Sequence, residues 1–424
     1  MADTPSFLSE AEADLTARFR SVRAATEALA APLSPEDCTA QSMPDASPVK
    51  WHLAHTSWFF ETFVLEPADP DWRTPDPAYR VLFNSYYHSV GRQYFRPDRG
   101  LVTRPGLAEV QRYRARVDEA VLRLLERGAL DRRLQGVVEL GLHHEQQHQE
   151  LVLTDVKHLL AHNPMHPAYR EVPPEPRRPV PPLGWHAVEG GLREIGFAGP
   201  GFAFDNEGPR HRVWLEPFEL AGRLVTVAEY LAFMEDGGYA RPELWLSDGW
   251  AVVQERGWDA PLYWRGDDAE GWQAQTLAGL RALHPDEPVC HVSHYEADAY
   301  ATWAGARLPT EAEWEVVAAE LPVKGNFVEN ERFHPAPLGP ADAALGPAQL
   351  FGDVWEWTAS AYAPYPGFRP PAGALGEYNG KFMANQMVLR GGSCATPNGH
   401  VRATYRNFFY PDARWQFSGI RLAR

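Results

Sequence analysis

Eight prolines fall between Asn163 and Gly184 (NPMHPAYREVPPEPRRPVPPLG), so neither a helix nor a sheet can run through this stretch. It separates two parts of different texture in a chain of 424 residues, a length that suits two or three domains. Two roles are open to it: a semi-rigid, polyproline-like linker over 164–184, or a strap packed across one domain. Domains are therefore expected at 1–163 and 185–424. The first part is helical in pattern. Residues 8–30 are rich in Ala, Leu, Glu and Arg, and a second helix around 50–64 carries Trp51, His55, Trp58 and Phe59. Over 107–125, Leu107, Val110, Tyr113, Val117, Val121 and Leu124 recur at spacings of three or four, and 133–161 does the same. Four amphipathic helices suit an antiparallel bundle. Beyond the prolines, short strand-like runs (213–215, 388–390) alternate with helical pieces near 226–235 and 294–305. In RLPTEAEWE, Thr310 stands where a helix N-cap would. This half is expected to be an α+β domain with long loops held by buried aromatics.

The charge balance, 40 − 56 = −16, argues against nucleic acid as a partner. No apolar run approaches the ~18 residues of a membrane span, so no membrane partner is expected. The first residues lack the basic and apolar regions of a signal peptide, and the three cysteines are widely spaced. A reduced, cytoplasmic protein without a cysteine-based zinc site is the expectation; oligomeric state is not legible.

The densest chemistry is HHEQQHQE at 143–150. His144 and His148, four residues apart, lie one above the other on a helix face shared with Leu140, Leu151 and Val152. Two inward imidazoles can bind one cation or form a hydrogen-bonded core pair; spacing alone leaves both open. Glu145 gives the run a likeness to the zinc-protease HExxH pattern, but in a bundle it is expected to face outward. WHLAHTSWFFE at 51–61 offers a third ligand. His55 lies on the stripe with Trp51, Trp58 and Phe59, whereas His52 is displaced by about 60°, so His55 is preferred. His143 faces away from the pair. His158 and His162 are expected as exposed cations at the helix C-terminus. Three neutral imidazoles leave a divalent ion's charge unneutralised and, for an octahedral ion, three positions vacant for a thiolate and dioxygen. Zinc with a hydrolytic water is the competing chemistry.

WHLAH and HEQQH in such a bundle are followed by DNEGPRH (205–211), LPTEAEWE (308–315), GDVWEWT (352–358), LRGGS (389–393) and FSGIRLAR (417–424). In this order the blocks resemble the ergothioneine-biosynthetic sulfoxide synthases. Those are non-haem iron enzymes in which a DinB-like four-helix bundle precedes a formylglycine-generating-enzyme-like, C-type-lectin-related domain. The resemblance implies iron(II) held by His55, His144 and His148. It implies O2-dependent joining of cysteine sulfur to C2 of the imidazole of N-α-trimethylhistidine (hercynine). It further implies a phenol donor at Tyr86 or Tyr87 in NSYYHSVG, and carboxylate recognition by Arg96 and Arg99 in RQYFRPDRG. Gln147 would hydrogen-bond the hercynine imidazole, and Asn407 with Phe408 would hold its carboxylate and trimethylammonium. Members that use γ-glutamylcysteine carry Asp and Arg where this chain has Phe409 and Ala413, so free cysteine is the expected donor. Cys394 is expected to be an inert buried thiol. Two alternatives remain: a histidine-using, ovothiol-type synthase, and a zinc-dependent DinB-type hydrolase or thiol transferase.

Overall fold

The computed structural model describes residues 10–173, 177, 180–267, 271–339 and 346–424. The chain forms two compact units: Met1–His162 together with Ala372–Tyr378, and Asn163–Pro371 together with Asn379–Arg424.

The first unit is built on four helices: α1 (Glu10–Ala30), α2 (Val49–Phe60), α3 (Leu107–Glu126) and α4 (Arg132–Ala161). Both α1 and α2 pack against α3 and α4. The apolar stripe of α3 is inside, with Val110, Tyr113, Val117 and Val121 buried. Asp131 caps α4 by accepting from the Leu134 amide at 2.7 Å, which satisfies one donor of the open first turn. Every residue of α2 is buried, polar ones included, so this is a central helix rather than a half-exposed one. It loosens at its end into a π-helical turn, Glu61–Leu65. Gly141 lets α4 close on α2: a Cβ there would lie 2.5 Å from the Phe60 ring and 2.9 Å from that of Phe59. Among the described residues no helix is long and apolar enough to cross a membrane.

In the second unit, β1 (Trp185–Val188) pairs with β4 (Phe218–Ala221), and β2 (Gly191–Ile195) with β3 (His211–Leu215), both antiparallel. Strands β5 (Trp264–Asp267), β6 (Gly271–Thr276) and β7 (Gly279–Ala282) form a meander. A mixed sheet has the order β10–β9–β8–β11, from β8 (Trp355–Ala361), β9 (Met387–Arg390), β10 (Asn407–Phe409) and β11 (Ser418–Gly419). Only β11 is parallel to its neighbour in this sheet, β8. The helices are α5 (Val227–Glu235), α6 (Ser247–Arg256), α7 (His294–Trp303) and α8 (Glu311–Ala318). Capping boxes start three of them: Thr226 with Glu229, Ser293 with Glu296, and Thr310 with Glu313. The described part of the proline-rich stretch packs along this unit. The amides of Tyr169 and Arg170 donate to the Leu277 carbonyl, and Arg223 and Gly222 donate to the carbonyls of Pro181 and Gly184.

The C-terminal sequence blocks interlock in the core of this unit. Arg390 of LRGGS donates to Glu311 and Glu315 of LPTEAEWE at 2.9 Å each. Arg421 of FSGIRLAR grips Glu356 of GDVWEWT at 2.7 and 2.9 Å, and Trp314 donates to the same carboxylate. Arg390, Arg421 and Glu356 are wholly buried, and each is neutralised by a partner from another block. These motifs therefore specify a fold.

Candidate metal centre

His55 on α2 and His144 and His148 on α4 each offer a ring nitrogen, and the three nitrogens lie within 4.8 Å of one another. All three residues are buried. The stripe logic of the sequence holds for each helix: α4 presents its histidines one turn apart, and α2 turns His55 toward them. Burial pushes the His144 imidazole down to about 3, and burial together with neighbouring imidazoles holds His55 and His148 well below the ordinary range. The rings are therefore neutral at pH 7, the form that ligates a metal.

Hydrogen bonds set which nitrogen faces inward. The Nδ1 of His55 is 2.6 Å from the Phe83 carbonyl, which can only accept, so its Nε2 carries the lone pair. That Nε2 faces the Nε2 of His144 at 3.2 Å. Two nitrogens at about 2.1 Å from one ion stand roughly 3.0–3.4 Å apart at square or tetrahedral angles, so the spacing fits a shared cation. The Nδ1 of His144 is buried without a hydrogen-bond partner. The His55 ring is sandwiched between the indoles of Trp51 (4.5 Å, 11°) and Trp58 (5.7 Å, 15°), which fixes its plane.

Glu145 departs from the outward orientation expected of it. It is fully buried and accepts from Thr26, Arg114 and Arg23 at 2.6, 2.5 and 2.8 Å. Burial alone would raise its carboxyl; Arg114 and then Arg23 overturn this and hold it at about 2. It is an acceptor locked to α1 and α3, not a base facing a substrate. His143, directed away from the trio, lies 3.3 Å from Arg18. His158 also departs from expectation: it is half-buried, bonds Ser42 at 2.7 Å, and burial lowers it to about 4, so it is no C-terminal cation.

Around the trio, Tyr87 is wholly buried against Trp58, Phe59 and Phe63. Tyr86 is half-exposed, 4.9 Å from Tyr87 and 6.1 Å from Tyr378. Tyr378 was not legible from sequence. Its ring lies 5.7 Å from that of His144, and its hydroxyl donates to the Oε1 of Gln147. The preceding Glu377 accepts from the amides of His88 and Ser89 (2.9 Å each) and the Ser89 hydroxyl (2.6 Å), tying 372–378 to the turn after the tyrosine pair. Arg96 is exposed and donates to the Asp45 carbonyl. Arg99 is buried, its guanidinium 3.4 Å over the Trp51 ring. It bonds Ser47 at 2.9 Å and Ser85 at 3.4 Å, while its Nε lacks an acceptor. Burial, then Arg96, lowers its pKa well below the usual guanidinium value.

In the second unit Asn407 and Phe408 begin β10. Phe408 stacks on Tyr362 at 4.0 Å and 10°, and the Asn407 side-chain oxygen accepts from the Phe408 amide at 2.9 Å. Phe409 packs on Trp415 at 5.9 Å, and Ala413 is buried. The three cysteines are buried thiols outside any disulfide.

Residues 18–152 match the DinB superfamily, and 169–336 with 328–424 match the Sulfatase-modifying factor enzyme 1-like domain. The chain is 35% identical over 407 residues to the hercynine oxygenase of Mycolicibacterium thermoresistibile, covering 90% of this chain and 88% of that protein. The chain belongs to the hercynine oxygenase family. A second hercynine oxygenase, from Mycolicibacterium smegmatis, is 34% identical over 424 residues, covering 90% of this chain and 92% of its own. The formylglycine-generating enzyme of Bos taurus is 27% identical over 288 residues, spanning 58% of this chain and 76% of that enzyme. The hercynine oxygenase likeness therefore covers both domains, whereas the formylglycine-generating-enzyme likeness covers little more than half the chain.

Proposed function

We propose that this chain is an iron(II)- and O2-dependent synthase that joins cysteine sulfur to C2 of the hercynine imidazole. The convergence of His55, His144 and His148 from two helices carries this reading, and membership of the hercynine oxygenase family supports it. In balance, cysteine S–H, imidazole C–H and O2 give the hercynylcysteine sulfoxide and one water. When bound, iron(II) supplies open positions for sulfur and the redox capacity to activate O2.

The chain's own residues bind and orient. Arg99, a buried guanidinium without a carboxylate among its bonded partners, takes the cysteine carboxylate, and Arg96 adds positive charge at the rim. Gln147, its oxygen held by the Tyr378 hydroxyl, turns its amide N–H toward the hercynine imidazole. By the resemblance alone, Asn407 and Phe408 would serve the carboxylate and trimethylammonium of hercynine. A phenol gives up the proton at its hydroxyl. Of the pair expected from sequence, Tyr87 is walled in by aromatic rings, so we assign the donor to Tyr378, with Tyr86 beside it. Phe409 and Ala413 offer no charge to a glutamyl group, so free cysteine is the donor.

The test is an aerobic reaction of the native protein with Fe(II), hercynine and cysteine, followed by mass spectrometry. The sulfoxide conjugate is expected, with cysteine preferred to γ-glutamylcysteine and hercynine to histidine. Tyr378→Phe should lower conjugate formation about 10²-fold while metal binding persists, and Tyr87→Phe should leave it near native. Anaerobic hydrolytic activity with zinc would replace this reading, and preference for histidine would move it to the ovothiol-type reaction.

A further inference from the structure

His52 is the histidine of WHLAH that the ligand set leaves out, yet it is buried against that set. Its Nδ1 lies 2.8 Å from the Nδ1 of His148, and its Nε2 lies 3.0 Å from Asp155 Oδ2. The same Asp155 oxygen accepts from the Ser47 amide at 2.8 Å, which holds the carboxylate in place. Asp155 stands seven residues after His148 on α4, two turns along one face, so helix geometry puts both beside His52.

The proton positions follow from donor and acceptor chemistry. A carboxylate only accepts, so the hydrogen between Asp155 and His52 sits on His52 Nε2. The other nitrogen of a neutral His52 is then an acceptor, and the hydrogen across the 2.8 Å contact belongs to His148 Nδ1. That leaves His148 Nε2 bare, the nitrogen a cation needs. The opposite tautomer would put a hydrogen on Nε2 and close the site. We propose that Asp155 and His52 are positioning residues that fix the tautomer and ring plane of His148, a carboxylate–histidine relay one residue longer than the usual support of a metal-bound histidine. This rests on the reading of the three histidines as a cation site. It assigns to His52 a role that its displacement from the α2 stripe left without explanation.

The experiment is Co(II) binding to the full chain, without substrate or O2, followed by visible absorption and by the thermal transition of each metal-free variant. His52→Leu removes the acceptor and should weaken Co(II) binding 10- to 100-fold and alter the absorption bands. His52→Asn, whose amide oxygen can take the His148 Nδ1–H, should recover most of that loss. One residue further out, Asp155→Leu should weaken binding and Asp155→Asn, which keeps an oxygen acceptor, should restore it. Native affinity in His52→Leu would overturn the relay. So would equal losses in the Leu and Asn variants of a position whose metal-free forms melt alike, which marks a packing role. If the His52 variants do not fold, the Asp155 pair decides by the same comparison. Co(II) binding by the native protein without hercynine turnover would sink the proposed reaction and leave the relay standing; no Co(II) binding by the native protein would remove the site beneath both.

Discussion

His144→Ala or His148→Ala is expected to lower metal affinity by at least about a hundredfold and to abolish O2-dependent turnover. A structural site of several ligands is worth roughly 10–16 kcal/mol, so one imidazole accounts for about 3 kcal/mol. The cleaner readout is linkage. A ligand at about a thousand times its Kd stabilises the folded state by roughly 4 kcal/mol, and a variant that does not bind gains nothing. Differential scanning of native and variant proteins with and without Fe(II) under anaerobic conditions therefore separates a lost ligand from a damaged fold. The native midpoint should rise with metal; the variant midpoints should not move. An unchanged metal-induced rise in either variant would take that residue out of the ligand set. The neutral state of the trio is central here: a protonated imidazole has no lone pair to give, and burial keeps these rings deprotonated without metal.

The parts of this centre that were legible in the sequence are those that helix periodicity encodes. His144 and His148 share a face because they are four residues apart, and His55 was separable from His52 by the position of Trp51 and Trp58 on one stripe. Periodicity failed where a helix has no solvent face. Glu145 was expected outward, but α4 is covered by both α1 and α2 around this point, and the carboxylate turns into a pocket of arginines instead. His158 was misjudged for the same reason, its last turn being covered by the segment that carries Ser42. Tyr378 lay beyond any local rule. It reaches Gln147 across 231 positions, on a piece of chain that clusters with the bundle although its neighbours belong to the other unit. Asp155 was within reach, two turns after His148 on the same face, but a lone aspartate in a helix carries no mark of what it bonds. The C-terminal blocks reported family membership correctly for a reason unrelated to chemistry: Glu311, Glu315, Glu356, Arg390 and Arg421 are the buried ion pairs of the fold.

Those pairs and the Glu145 cluster share a consequence that acid titration can expose. Glu145→Ala should cost about 3 kcal/mol, because it takes the shared buried carboxylate from two guanidiniums and leaves Arg23 with Asp118 alone and Arg114 with the more exposed Glu27. In a unit of this size that lowers the thermal midpoint by roughly 10 °C. The pH dependence carries the sign. The Glu145 carboxyl is depressed in the fold, from 4.5 to about 2, so its stabilisation is present above pH 4.5 and is lost as pH falls toward 2. That shift corresponds to roughly 3 kcal/mol. Buried histidines also destabilise the metal-free protein in acid, since His144 binds its proton near 6.5 when unfolded and only near 3 when folded. Down to about pH 4 that contribution cancels between the native protein and Glu145→Gln, because folded His144 stays unprotonated in both; nearer pH 3 it cancels only in part, since the Glu145 charge itself raises His144. The stability gap between those two metal-free proteins should therefore be constant from pH 7 to about 5 and should narrow below pH 4.5. Denaturant unfolding at a series of pH values measures it. Parallel curves down to pH 3 would mean that the carboxylate is not held by the arginines, and that the orientation of α4, on which both metal-facing imidazoles depend, is fixed by apolar packing alone.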